Sequence, residues 1–371
     1  MWRDSWVHSC HTIYMDGLQR YGWNDYFAAQ FKKAALTGCV PARVVADFGT
    51  AQKIVMPEER SAVLSNQLLH GAHPSLLPKV GDWVLVRIAD AHTATIEAVL
   101  PRESELARRA AGTKAVKQVM AANVDIAFVL QGLDNDFSPE RLQRYLYQLS
   151  ASHIRPVIVL NKADKVTNPE SYQAQLTSLG VPIIVSSVMN GAGVDQIMDL
   201  ILPGRTAVLV GSSGAGKSTL TNRLLGSDTQ KIQSVRRRDD TGRHTTTHRE
   251  LFLLPNGGLL MDTPGIRELQ LWGVEDDLKE NFDDVLALAA QCQYHNCSHT
   301  TETGCAVQAA LAGGKLDAAH YANYLKMRHE LQVLALQKSQ QAAARNKKRI
   351  RPASRHANKR LSSEDLQELE S

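Results

Sequence analysis

The chain has no long hydrophobic run. Its apolar stretches, such as "DIAFVLQ" (125–131) and "RTAVLV" (205–210), stop far short of the roughly 18 residues that a membrane-spanning helix needs. The N-terminus shows no basic region followed by an apolar stretch, so it does not read as a secretory leader. A cytoplasmic protein without membrane association is the expectation, and a monomer. Cysteine is scarce: there are five in 371 residues, three of them between 292 and 305. That is a poor disulfide framework for a chain of this size and points to a reducing compartment with one metal site. A broad excess of one charge is missing too. Residues 345–360, "RNKKRIRPASRHANKR", carry eight Lys or Arg and no acid, leaving 34 basic against 38 acidic side chains elsewhere. The net charge of +4 is therefore a property of the tail. No internal repeat is visible.

What is present is a multidomain α/β pattern, since the length suits two or three domains. Residues 1–37 form a polar, aromatic-rich extension in which "YFAAQFKKAAL" (26–36) can make one amphipathic helix. From 38 to 112, short alternating runs ("CVPARVVADFG", "KIVM", "DWVLVRIA", "TATIEAVLP") punctuated by Gly and Pro read as a small all-β, OB-like barrel. Residues 113–278 change to strand then helix: "DIAFVLQGL", "SPERLQRYLYQLSASH", "PVIVLNKAD", "NPESYQAQLTSLG", "VPIIVSS", "GVDQIMDLI", "RTAVLVGSSG". Apolar strands alternating with amphipathic helices imply a parallel sheet covered on both faces. A mostly helical unit with a Cys/His cluster follows over 279–340, then a basic tail, 341–371, expected to be disordered.

"GSSGAGKS" (211–218) satisfies G-x-x-x-x-G-K-[ST], with the strand "TAVLV" before it and a helix after it. Gly211, Gly214 and Gly216 let the backbone curl so that N–H groups of the loop, including Ser212, Ser213 and Ala215, point at phosphate oxygens at a helix N-terminus. Lys217 would reach the β- and γ-phosphates and Ser218 would bind Mg²⁺, with Thr219 next to them. The base would be chosen by "NKAD" at the carboxyl end of another strand. Asp164 can accept from the N1–H and exocyclic amine of guanine, Asn161 adds a polar contact, and the Lys162 stem packs on the ring. Adenine lacks that donor pair, and a desolvated, unpaired carboxylate costs several kcal/mol. This argues against an ATP-dependent RNA remodeller. "SSV" (Ser186, Ser187, Val188) resembles the companion loop that meets the guanine oxygen.

Asp262 and Gly265 of "DTPG" would hold Mg²⁺ through water and sense the γ-phosphate. A second D-x-x-G match, Asp239 to Gly242, lacks a preceding strand. "GRHTTTH" (242–248) is placed as a first switch loop, with one Thr among 245–247, Thr246 favoured, on the metal. Ile266 follows "DTPG" where many GTPases carry the glutamine that orients water. His244 is the best internal replacement and His248 the second choice. Cys292, Cys297, His295 or His299, and Cys305 supply metal ligands within fourteen residues. Four protein ligands suit one closed structural Zn²⁺.

"NKAD" precedes "GSSGAGKS" by about fifty residues, the reverse of the usual order. Cutting a GTPase domain after its "DTPG" strand and rejoining its ends keeps every strand while changing the order of visits, and surface termini tolerate this. With "SSV", "GRHTTT", "DTPG" and "CQYHNCSHTTETGC" following in order, residues 38 to about 330 resemble the ribosome small subunit-dependent GTPase A family (RsgA), whose members are circularly permuted GTPases. The resemblance implies an OB-fold, a permuted GTPase, a zinc domain with His299 rather than His295 as ligand, and hydrolysis of GTP to GDP stimulated by the small ribosomal subunit late in its maturation. The barrel and the basic tail suit rRNA. The alternative is a guanine-nucleotide-gated RNA-binding scaffold whose hydrolysis is incidental.

Overall fold

A computed structural model describes residues 16–71, 73–110, 115–134, 136–226, 249–262 and 271–367. Five strands, β1 (Val40–Asp47), β2 (Gln52–Met56), β3 (Glu58–Leu64), β4 (Trp83–Ile88) and β5 (Thr93–Val99), pair in the order β1-β2-β3-β5-β4. The return pairing of β4 with β1 closes them into a barrel. β3 and β5 run parallel and the other pairs antiparallel. Period-2 alternation puts Val44, Ile54, Val84, Val86 and Ile96 into one buried cluster. Trp83 and Leu85 face the other way, onto Trp23 and Phe27 of the N-terminal extension. There the helix Asp25–Ala34 is started by the Asn24 side chain, which accepts from the Phe27 N–H at 3.1 Å, and it ends on Lys32 and Lys33, as the helix dipole favours. Trp23 meets Trp83 edge-on with centroids 4.7 Å apart.

Arg43 of β1 joins this region to the rest of the molecule. It is 2 % exposed and donates to Gly81 O (3.2 Å), Asn123 O (3.1 Å), Thr206 Oγ1 (2.8 Å) and Tyr21 O. Burial among these neutral acceptors pushes its pKa down to about 10.

After a two-stranded hairpin, β6 (Glu105–Arg109) and β7 (Lys117–Ala122), come β8 (Ile126–Gly132), β9 (Arg155–Asn161), β10 (Ile183–Val185), β11 (Thr206–Gly211), β12 (Arg249–Leu253) and β13 (Leu259–Asp262). Their order is β10-β9-β8-β11-β13-β12, parallel throughout except for β12. Central β11 thus has strands that precede it in the chain on one flank and strands that follow it on the other. β8 is buried along its whole length, as expected of a parallel strand covered on both faces. Leu142, Tyr145, Leu146 and Leu149 of helix Pro139–Ser150 cover one face, and Ile197, Leu220 and Leu224 the other. β12 also pairs antiparallel with β1, through Ala46 with Glu250 and Asp47 with Arg249, so the sheet runs on into the barrel and the β12 edge is covered.

Helices Asp283–Ala289, Ala306–Ala312 and Ala318–Gln367 enclose a separate core around Phe282, Val307, Met327 and Leu331. The last of them lies against helix Pro139–Ser150: Asn323 donates to Gln143 Oε1 at 2.5 Å, and Arg144 makes two contacts with Glu330 at 2.9 and 3.3 Å. It also takes in most of the basic stretch for which a disordered tail is expected. The Ala, Gln, Lys and Arg that crowd residues 336–350 are strong helix formers and extend the docked turns. Among the described residues no helix is long and apolar enough to cross a membrane.

Candidate nucleotide site and metal centre

β11, β8 and β9 are parallel neighbours, so the loops at their carboxyl ends converge on one side of the sheet, where open α/β sheets bind ligands. Asn161 ends β9 and is 3 % exposed. Its Nδ2 donates to Ala215 O at 2.9 Å, while its Oδ1 accepts from the Val188 N–H at 3.2 Å and the Ser186 hydroxyl at 3.3 Å. One buried amide therefore ties "NKAD", "SSV" and "GSSGAGKS" together. Two glycines are obligatory here. Gly216 has φ 102°, and a Cβ on it would stand 2.2 Å from Asn161 Nδ2; Gly211 has φ 139°, and its Cβ would meet Leu130 O at 2.1 Å.

Lys217 crosses the loop and donates to Gly211 O (2.7 Å) and Ser212 O (2.5 Å). Ser213, Gly214, Ser218 and Thr219 are exposed around it, while Ala215 is buried. Asp164 lies in the turn after β9, its Oδ1 accepting from the Ser187 hydroxyl at 2.5 Å. That hydrogen bond holds its carboxyl below the usual range, so it stays an acceptor at neutral pH. Lys162, at φ 65°, places its ammonium 2.5 Å from Asp134 Oδ2. Asp262 ends β13, the strand beside β11. His244, Thr246 and Gly265, like His248, Ile266 and the second D-x-x-G match, lie outside the described residues.

Cys292, Cys297, His299 and Cys305 bring their ligand atoms within 4.8 Å of one another, and His295 is not in the group. Cys292 Sγ and Cys305 Sγ are 3.9 Å apart, and His299 Nδ1 lies 3.4 and 3.5 Å from them. A tetrahedral Zn²⁺ with Zn–S of about 2.3 Å and Zn–N of about 2.0 Å spaces its ligands about 3.5 to 3.8 Å apart, so the cluster can hold such an ion. The loop is braced from outside. Glu302 accepts from the N–H groups of Ser298 (2.7 Å), Thr300 (2.9 Å) and Thr301 (3.1 Å), and its pKa is pushed down to about 2 by the Ser298 hydroxyl, its own amide and the amides of Ser298 and Thr300. Gln308 donates to His299 O at 2.5 Å, fixing the left-handed histidine (φ 59°).

A family model described as RsgA GTPase matches residues 99–272. The small ribosomal subunit biogenesis GTPase RsgA of Opitutus terrae is 43% identical over 327 residues, covering 84% of this chain and 89% of that protein. This chain belongs to the RsgA GTPase family. The protein of the same name from Syntrophotalea carbinolica is 40% identical over 348 residues, with coverage of 90% and 96%. The fold agrees with solved structures. YjeQ from Thermotoga maritima superposes with TM-score 0.59 at 23% identity, over 79% of this chain and 99% of that one. YloQ, described as a circularly permuted GTPase, gives 0.57 at 23% identity, over 80% and 96%. This RsgA family member is a GTP-hydrolysing enzyme with an N-terminal barrel, a permuted α/β sheet and a helical region carrying a Cys₃His cluster.

Sequence reasoning missed the "LDND" segment after β8. Asp134 pairs with Lys162, and Asp136 accepts from Ser212 of the phosphate loop. The available signal was positional: polar residues at the carboxyl end of an apolar parallel strand, the same context that singled out "NKAD".

Proposed function

We propose that this RsgA family chain hydrolyses GTP to GDP in the cytoplasm during small ribosomal subunit biogenesis, its turnover stimulated by that subunit. The observation that carries the reading is the Asn161 amide, which joins the base-reading, guanine-oxygen and phosphate loops into one site. In this reading Asp164 and Lys162 select guanine, and the N–H groups of Gly211 to Gly216 with Lys217 cradle the phosphates. Ser218, Thr246 and Asp262 would hold Mg²⁺, which when bound offsets phosphate charge. Gly265 senses the γ-phosphate and His244 orients water. The Cys₃His cluster would hold Zn²⁺ as a structural ion, its four ligands leaving no open position for chemistry. The barrel and the basic final helix would meet rRNA.

The permutation adds a route for the γ-phosphate signal. Just past "DTPGIREL", Gln148 clamps the backbone of Trp272, accepting from its N–H at 2.8 Å and donating to its carbonyl at 3.0 Å; the Tyr147 hydroxyl donates to Val274 O at 2.9 Å. The chain then enters the helical metal-binding region, so movement of the switch bears on that region directly. The deciding experiment is GTP turnover with and without isolated small subunits, with ATP as competitor. The reading requires strong stimulation and no competition. Turnover indifferent to subunits would leave a nucleotide-gated scaffold instead.

A further inference from the structure

β8 lies between β11 and β9 in the sheet, so the loop that follows it lies between the phosphate and base loops. Asp136 of this loop, with its side chain 23% exposed, uses both carboxylate oxygens: Oδ2 accepts from the Ser212 hydroxyl and Oδ1 from Arg141 Nη1. The loop itself is held from beneath by Gln131, 2 % exposed, whose amide donates to Asp136 O at 2.9 Å and Ser138 O at 3.2 Å. Ser212 is the second residue of "GSSGAGKS", and its carbonyl accepts from Lys217. The Asp136 contact therefore fixes the peptide unit that holds the phosphate-binding lysine.

We propose that Asp136 is a positioning residue for the phosphate loop, acting through the Ser212 hydroxyl. The proposal rests on reading "GSSGAGKS" as the site of a guanine nucleotide. An acid beside a polyphosphate would ordinarily weaken binding by repulsion. Here Arg141 and the hydroxyl engage the carboxylate, and its remaining effect is to order the first turn of the loop before the ligand arrives.

The two effects have opposite signs, which makes the proposal testable on the full-length protein. Dissociation of a fluorescent GDP analogue is followed at constant Mg²⁺ for the parent, Ser212→Ala, Asp136→Ala and the double variant, with thermal unfolding measured without nucleotide. Each single change should speed dissociation about tenfold, the contribution of one hydrogen bond to a charged group. The double variant should be no faster than the singles, because both remove the same bond. Slower dissociation in Asp136→Ala would mean that repulsion dominates and would overturn the proposal. So would additive effects, or an unfolding temperature that falls while dissociation stays at the parental rate. If Asp136→Ala does not fold, Ser212→Ala alone decides. A parent that binds GDP while its variants match it defeats only this proposal; a parent that binds none defeats the nucleotide reading with it.

Discussion

Replacing Asn161 by alanine tests whether one buried amide assembles the site. The substitution deletes three hydrogen bonds, to Ala215 O, from the Val188 N–H and from the Ser186 hydroxyl. At about 1 kcal/mol net for each, the loss is about 3 kcal/mol, more where a buried partner is left unsatisfied. All three bonds are made within the protein, so part of this appears as lower stability. The rest appears as weaker binding, because the ligand must now order loops that the amide otherwise holds together. An even division weakens GDP and GTP binding about tenfold, and the full amount about a hundredfold. Titration with a fluorescent GDP analogue, read beside thermal unfolding, measures both shares. Asn161→Asp is the sharper variant: it can still accept from Val188 but sets a carboxylate oxygen against the Ala215 carbonyl, and it should bind no better than Asn161→Ala. Affinity within about twofold of the parent in both variants, with unfolding unchanged, would refute the reasoning.

Three further expectations follow from the same site and its neighbours. Asp164→Asn should lose affinity for GTP and gain it for xanthosine triphosphate, whose ring carries a carbonyl where guanine has an amine; nucleotide competition reads the exchange, and parental GTP affinity would remove Asp164 from base selection. Chelation, or Cys297→Ala, should unfold residues from about 280 to 330 while GDP still binds, because a structural ion contributes folding free energy outright; hydrogen exchange locates the loss, and reduced, purified protein without zinc would contradict it. His244→Ala should keep GTP affinity and subunit binding yet lose most of the subunit-stimulated rate, by one or more powers of ten if it orients the attacking water; unchanged stimulated turnover would assign that task elsewhere.

The sequence by itself determined those features whose physics is local. The phosphate-loop pattern asks for glycines at fixed spacing between a strand and a helix, so "GSSGAGKS" is legible in eight residues, and Gly216 adopts a left-handed backbone at the turn between β11 and helix Lys217–Leu225. Three cysteines and a histidine within fourteen residues mark the candidate metal cluster; the residues alone left two histidines open, the family resemblance favoured His299, and His299 is the one whose ring lies with the three thiols. The order of "NKAD" and "GSSGAGKS" revealed the permutation, because motif order is a property of the chain alone. Only the tertiary structure decided what those motifs touch. Asn161 reaches Ala215 across 54 positions, Lys162 reaches Asp134 across 28, and Asp136 reaches Ser212 across 76. Each pairing exists because β8 packs between β9 and β11, and strand order is set by burial of whole apolar faces rather than by residues near the site. The same holds for β1, which extends the sheet onto β12 from some two hundred residues away, and for the N-terminal extension, whose helix is legible from its pattern but whose place against Trp83 is not. Nonlocal contacts of this kind depend on which surfaces remain unburied after every other element has packed, and no short window of sequence carries that information.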